Sequence, residues 1–397
     1  MREEQREKLE NQLREVLKKA IQNGEVSCGS FLVKKDGEEI CCFQEGYADR
    51  ENLVKLERDH IFRLYSMTKP ITAAAVMALV EEGKLDLSEP VSAYLLGFCG
   101  QTVEKDGNIV PVQKEMRILH LLSMTSGLVY DGSSLAGQGT SRLIQEVIDR
   151  MDGEYPIGTV EFANRLGCVP LEFDPGTSWH YGTSADVLGA LVEVVSGQSF
   201  GSYLRERFFE PMGMKDTGFF VPEEKQHRLV KVYQREEKGD MSLYLENHLG
   251  ISNSMKRPPA FESGGAGLVS TLDDYARFTQ MLLQKGRWEE KQILRPYTVD
   301  YLTSSRLCCE GQRKAFEQWV GLEGHSYGNL MRVLEYPGQA ALMGTKGEYG
   351  WDGWLGPYFS NHPDQNMSIL LMIQMTNTGT GPLLRKLKNI VTSTLVD

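Results

Sequence analysis

The chain predicts an α+β fold in which one lobe of strands and helices is assembled from both chain ends and a mainly helical lobe is inserted into it. Three observations carry this reading. Strand-like runs and amphipathic helices occur before residue 66 and again after residue 261. The stretch between them reads as helices and loops. Doubly wound βαβ units are not visible. The expected boundaries are residues 1–65 and 262–397 for the first lobe and 66–261 for the helical one.

Taken in order, residues 5 to 22 place Leu9, Leu13, Val16, Leu17, Ala20 and Ile21 at helical spacing among charged residues, which predicts an amphipathic helix lying on other structure. Ser30–Lys34 and Glu39–Gln44 follow as strands. Lys35-Asp36-Gly37 joins them, and Asp-Gly between two such runs is a strong hairpin signal. Ile61–Tyr65 predicts a short strand that delivers the chain to Ser66. Pro70 suits the first turn of a helix, where a missing N–H is tolerated, and Gly83 suits its end. Further helices are predicted over Ile118–Met124, 141–151, Ala185–Val195, Tyr203–Pro211 and Thr271–Lys285. Ser270 or Thr271 caps the last of these, with Asp273 and Asp274 in its first turn. Gln339–Gly344, Gly356–Ser360 and Ser368–Met375 predict successive strands, with residues 361–366 as the turn between the last two, and Leu383–Val396 predicts a closing helix.

At 397 residues the chain is long enough for a substantial core. Its net charge of -11 argues against nucleic acid or an anionic membrane as a partner. Met1–Lys19 is densely charged and has no apolar core of a signal peptide. No apolar run approaches the roughly 20 residues that span a bilayer. The 7 cysteines include the adjacent pairs Cys41-Cys42 and Cys308-Cys309, whose side chains on a strand would point to opposite faces and not bond to each other. An odd count without an export signal leads us to expect reduced thiols and a cytoplasmic location. The spacing of His and Cys matches no metal-site template, so no metal and no other cofactor is expected.

The chemistry concentrates at Ser66-Met67-Thr68-Lys69. On a helix, residues three apart share a face, so Ser66 and Lys69 point into one space. A serine needs a neighbouring base to become a nucleophile, and a lysine can be that base when desolvation lowers its pKa. Ala73–Val76 and Ala78–Val80 are the apolar flanks that would desolvate it. A Ser-x-x-Lys string alone marks no more than an exposed helix face; its company decides. Tyr181, in His180-Tyr181-Gly182-Thr183 ahead of an apolar helix, would serve as a base only if a cation such as Lys69 depressed its pKa. Gly264-Gly265-Ala266-Gly267 lacks the spacing of a phosphate loop and predicts close backbone packing against an active-site edge. Tyr349-Gly350-Trp351-Asp352-Gly353-Trp354 reads as an aromatic stretch entering an edge strand, and the His120–Leu128 segment as a helix with a capped end. Gly197-Gln198-Ser199-Phe200-Gly201 matches a nucleophile elbow, but the preceding segment is helical in pattern, so a helix-to-helix turn is expected there.

Together, Ser66–Lys69, His120–Leu128, Asp174-Pro175-Gly176, Tyr181-Gly182-Thr183, Gly264–Gly267 and Tyr349–Gly353 resemble, in order and spacing, the serine hydrolases related to penicillin-binding proteins and class C β-lactamases. Within them the chain is most similar to the family VIII carboxylesterases. The resemblance implies an antiparallel sheet flanked by N- and C-terminal helices, an inserted helical lobe, and a site in the cleft between. It also implies an acyl-enzyme at Ser66, with Lys69 and Tyr181 moving the proton. The oxyanion hole would be formed by the backbone N–H groups of Ser66 and Trp354.

Two departures bear on the substrate. Where β-lactamases and penicillin-binding proteins carry Lys-Thr-Gly to hold a substrate carboxylate, this chain has Trp351-Asp352-Gly353. The esterases carry Trp-Gly-Gly, so Trp351 fits them and Asp352 fits neither. If ionised and facing the cleft, Asp352 would repel a carboxylate, and ~1.4 kcal/mol of repulsion already costs about tenfold in binding. Thr183 stands where penicillin-recognising enzymes have Asn or Ser. The expected substrate contacts are thus Thr183, Trp351, Asp352 and Gly353, with Trp179, Trp351 and Trp354 as candidate walls of an acyl pocket. A carboxylesterase on small or medium acyl esters is expected. The alternatives are a β-lactamase, a D-amino-acid-specific peptidase or amidase that grips an amine through Asp352, a penicillin-binding protein, and a silent binding protein of the same fold.

Overall fold

The computed structural model describes residues 2–236, 240–319 and 321–396. Its centre is an antiparallel sheet of 8 strands, in the spatial order His325–Tyr327, Arg332–Leu334, Tyr349–Asp352, Tyr358–His362, Met367–Met372, Cys28–Lys35, Glu38–Asp49 and Val54–Lys55. The two chain ends meet where Phe31 pairs with Leu371 and Val33 with Ile369. The N-terminal hairpin forms where expected. Asp36 and Gly37 take φ of 55° and 80°, the left-handed conformations a tight hairpin needs and Asp-Gly tolerates.

Alternation along the strands sets the two faces. Phe31, Val33, Ile369 and Leu371 point to one side, where Leu9, Leu13 and Leu17 of helix Glu3–Gln22 cover them together with Leu384, Leu387 and Val391 of helix Pro382–Leu395. Leu32, Leu370, Met372 and Phe359 point to the other side, into the larger core that includes Tyr275 and Phe278 of helix Leu272–Leu283. Buried on both faces, Met367–Met372 has no polar side beyond Ser368, which is why it reads as a nearly continuous apolar run. Thr271 caps helix Leu272–Leu283, its hydroxyl accepting from the Asp274 N–H at 3.1 Å.

The helical middle is built on two apolar helices that pack together, Thr68–Glu81 and Ser184–Ser196. Ile118–Leu122 and the run Phe200–Met212 lie close to the expected segments, Leu135–Arg150 begins six residues before the expected 141, and Thr159–Gly167 is a helix that was not expected. Gly197, at φ 70°, ends helix Ser184–Ser196, and Ser199 caps the next helix by accepting from the Ser202 N–H. This is the expected helix-to-helix turn, with no strand before it.

Three expectations are corrected. Gln339–Gly344 is not a strand. Pro337 has no N–H for a ladder and opens a 3-10 turn over Pro337–Gln339, and the sheet instead takes His325–Tyr327 and Arg332–Leu334. Ile61–Tyr65 stops at Arg63 and pairs with Val269–Thr271 outside the main sheet. Nor is Tyr349–Asp352 an outermost strand, although its last pairing with the outer neighbour is Gly350 with Arg332. Beyond that point its outer flank is open. All the described cysteines are free. Among the described residues no helix is long and apolar enough to cross a membrane, and no group of His, Cys, Asp and Glu is placed to hold a metal.

Candidate active site

Ser66 sits in the 3-10 turn Tyr65–Met67 that runs directly into helix Thr68–Glu81. The turn begins with Tyr65 at φ 46°, a left-handed conformation that costs a bulky residue energy and persists only where packing enforces it. That packing is present. The Tyr65 ring lies 5.1 Å from Trp354 and 5.8 Å from His248, Leu64 and Met67 are buried, and the Tyr275 hydroxyl donates to the Met67 carbonyl at 2.9 Å.

One turn on, the Lys69 side chain is 0% exposed. Its Nζ hydrogen-bonds to Ser66 Oγ at 3.0 Å, Tyr130 Oη at 3.0 Å and the Gly265 carbonyl at 2.8 Å. Burial lowers its pKa to about 7, against the opposing pull of Asp186 and Asp352. A neutral amine in hydrogen-bond contact with a hydroxyl can take its proton, which is what the spacing of Ser66 and Lys69 predicts.

Gly264–Gly267 lies against this edge as expected. Asp186, buried in helix Ser184–Ser196, accepts from the Gly265 N–H at 3.0 Å and from Ser263 Oγ at 2.5 Å, and so aims the Gly265 carbonyl at Lys69. No side chain fits at Gly265. A Cβ there would stand 2.8 Å from Asp186 Oδ2 and 2.9 Å from Tyr130 Oη.

Tyr181 is brought to the same place, with one correction. Its hydroxyl meets Ser66 and accepts from Trp351 Nε1 at 2.9 Å. Lys69 Nζ lies over the ring, 4.6 Å from its centroid. The condition for Tyr181 to act as a base, a pKa depressed by Lys69, is not met: burial pushes it well up, outweighing the Ser66 and Trp351 hydrogen bonds. Asp352 and Asp186 push in the same direction as burial, so Tyr181 keeps its proton.

The other predicted residues divide. Trp351 reaches the site through its bond to Tyr181. Gly353 ends the strand where a Cβ would come within 2.2 Å of the Leu64 carbonyl, and this close approach sets the Trp354 peptide beside the nucleophile turn. Asp352 does not confront the cleft as an unpaired charge. It pairs with the buried Arg332 guanidinium at 3.3 Å and accepts hydrogen bonds from Thr380. Thr183 is buried, with its hydroxyl on the Val129 carbonyl at 3.4 Å, a structural position and not a substrate-facing one. Trp179 is core, packed edge-on to Phe316, Trp319 and Tyr327. Tyr130 and Asp186 are residues around Lys69 that the sequence reading missed. Asp186 left a signal, an acid among the apolar residues that open its helix; Tyr130, 61 residues from Lys69, left none.

A hydroxyl, a buried amine of lowered pKa, a protonated tyrosine and a backbone turn held against them form the constellation of an acyl-transferring site. The beta-lactamase family model matches residues 13–390. The chain belongs to the beta-lactamase family. It is 32% identical over 340 residues to protein Rv1367c of Mycobacterium tuberculosis, covering 83% of this chain and 81% of that one. It is 30% identical over 375 residues to esterase EstB of Burkholderia gladioli, covering 91% of this chain and 89% of EstB. Among solved structures, EstCE1, a hydrolase with promiscuous acyltransferase activity, superposes with a TM-score of 0.80 at 26% identity, covering 97% of this chain and 99% of EstCE1. The protein is therefore a serine hydrolase of the beta-lactamase fold, the superfamily its sequence resembles.

Proposed function

We propose that the protein is a carboxylesterase that forms an acyl-enzyme at Ser66 on small or medium acyl esters. The observation that carries this is Lys69, buried, poised near neutrality and bonded to Ser66 Oγ. Lys69 takes the hydroxyl proton as Oγ bonds to the ester carbonyl carbon. The N–H groups of Ser66 and Trp354 hold the resulting oxyanion. As the carbon–oxygen bond to the alcohol breaks, the Tyr181 hydroxyl gives its proton to the leaving oxygen and regains one from Lys69. Water, activated in the same way, then releases the acid. The site lies in the cleft between the lobe of residues 1–65 and 262–397, which contributes Gly265, Trp351 and Trp354, and the lobe of residues 66–261, which contributes Ser66, Lys69 and Tyr181.

The surroundings favour neutral esters. The carboxylate of Asp352 is matched by Arg332, so it neither repels an anionic substrate as a free charge nor offers a grip for an amine, and the peptidase reading loses its anchor. Trp351 and the half-exposed Trp319, which packs edge-on to Tyr181 at 4.8 Å, give the cleft aromatic walls. The esterase relative EstB supports the ester as substrate. The transferase activity named for EstCE1 supports alcohols as competitors of water in the second step. Hydrolysis of p-nitrophenyl acetate or butyrate tests the proposal: Ser66→Ala is expected to abolish turnover, and equal rates in Ser66→Ala and wild type would sink it.

A further inference from the structure

We infer that the segment Met375–Gly379, which follows the last strand of the sheet, is a latch on the loop carrying the Trp354 peptide, and that Asn377 is its positioning residue. The inference rests on the proposed oxyanion role of the Trp354 N–H and deepens it. Glycines bracket that loop at Gly353 and Gly356, and glycine leaves a backbone free to adopt many conformations. An oxyanion hole works because its donors are fixed before charge develops. The loop closes its own turn, the Gly356 N–H donating to the Gly353 carbonyl at 2.8 Å, but that turn leaves the Trp354 side chain to be held by its neighbours.

The fastening is visible. Trp354 Nε1 donates to Asn377 Oδ1 at 2.7 Å. The Thr378 N–H donates to the Trp354 carbonyl at 3.4 Å and the Met375 N–H to the Leu355 carbonyl at 2.9 Å. Gly356, at φ 89°, lies so close to the segment that a Cβ would stand 2.4 Å from Thr378 Oγ1. Asn377 itself takes φ 55°, a left-handed conformation in which asparagine is enriched. On its other side the Trp354 indole packs 4.1 Å from His248 and 5.1 Å from Tyr65, the residue before Ser66. The indole is thus a strut between the latch and the nucleophile turn, and the Trp354 N–H keeps its distance to Ser66 only while the strut is seated.

The test uses Asn377→Gly, which removes the acceptor without straining the left-handed backbone, Asn377→Asp, which restores an acceptor, Trp354→Phe, which removes the donor, and the Gly/Phe double variant. Two readouts are taken: steady-state hydrolysis of p-nitrophenyl butyrate, and the rate of Ser66 labelling by a fluorophosphonate followed by intact-protein mass spectrometry. In Asn377→Gly and Trp354→Phe, kcat and the labelling rate are expected to fall about tenfold, less than the ~10²–10³-fold cost of a lost donor, because the N–H is displaced and not removed. KM should stay within about twofold, since the interaction is made in the transition state. Asn377→Asp should return most of the rate, and the double variant should be no slower than the worse single one. Unchanged rates in the single variants, losses that multiply in the double variant, or a loss confined to KM would overturn the latch while leaving the esterase intact. A wild-type protein inert in both assays would overturn the esterase reading, and the latch with it.

Discussion

At the scale of single residues, the chemistry turns on whether Lys69 carries a proton. Burial brings its pKa to about 7, far below the ordinary lysine value of about 10.4. With the neutral amine as base, kcat/KM rises with pH until about 7 and levels off above it, falling about tenfold per pH unit on the acid side. A profile flat across that range would remove Lys69 from the role. The same shift acts on stability. Between about pH 7 and 10.4 the unfolded chain holds the lysine proton that the folded chain has lost, so stability rises with pH in that window. Lys69→Met should flatten the rise, as read from thermal melts at either end, while abolishing turnover. The Tyr130 oxygen, which receives a hydrogen bond from Nζ at 3.0 Å, favours the charged amine, so Tyr130→Phe is expected to move the acid limb to lower pH and leave the plateau within about tenfold of wild type. Tyr181→Phe, in contrast, removes the proton donor, and a loss of ~10²-fold or more in kcat is expected, with the limb in place. Ser66, Lys69 and Tyr181 were legible because helical spacing and flanking motifs encode them. Tyr130 was not, because its approach to Lys69 is made by tertiary packing alone. The protonation of Tyr181 was left conditional because the sequence shows which groups are neighbours but not how dry they are.

At the scale of elements, what positions the site is a set of close backbone approaches. Gly353, at the end of strand Tyr349–Asp352, makes the one that reaches the nucleophile turn, with the Leu64 carbonyl 2.2 Å from where a Cβ would sit. Gly353→Ala must therefore push Tyr349–Asp352 away from the nucleophile turn. An activity loss of about tenfold or more is expected, with a lowered melting temperature, because neither contact surface is a flexible side-chain tip. Wild-type activity in Gly353→Ala would mean that the strand does not supply an oxyanion donor. The elements least legible in sequence were also the short ones. His325–Tyr327 and Arg332–Leu334 are 3 residues each, too brief for alternation to register. Apolar Ala340–Leu342 drew a strand prediction that Pro337 and its 3-10 turn prevent. The long helices, by contrast, and the Asp36-Gly37 hairpin follow from periodicity and turn chemistry that act locally. Asp352 was correctly placed on its strand. Its partner Arg332 comes from the neighbouring strand through a register that no local pattern reveals, so the carboxylate was read as an open charge when it is a matched one.

At the scale of the whole molecule, the closing helix is bound to the active strand through a buried ion pair. Lys388, on helix Pro382–Leu395, hydrogen-bonds to Glu348 Oε2 at 2.8 Å and to the Met343 carbonyl at 2.8 Å, and both side chains are buried. Glu348 immediately precedes Tyr349–Asp352. Its pKa is held below the usual carboxylate value, burial being outweighed chiefly by Lys388, with Arg332 adding to it. His362, 3.7 Å away, is driven down to about 4 by burial and is neutral at ordinary pH, leaving Lys388 as the direct counter-charge. A buried pair need not stabilise a fold relative to an apolar one, but removing one partner strands the other, at a cost of about 3–5 kcal/mol. Lys388→Met should therefore lower the denaturant midpoint strongly. Adding Glu348→Gln, which removes the stranded charge, should recover much of the loss. The pair also lies at the root of the strand that carries Trp351 and Gly353, so the single variant should lose esterase rate at temperatures where it is still folded, and the double variant should regain it. Equal destabilisation in the single and double variants would show that Lys388 acts through packing of the helix alone. Recovery of stability without recovery of rate would show that the charge, and not just the space it fills, holds the strand against the nucleophile turn.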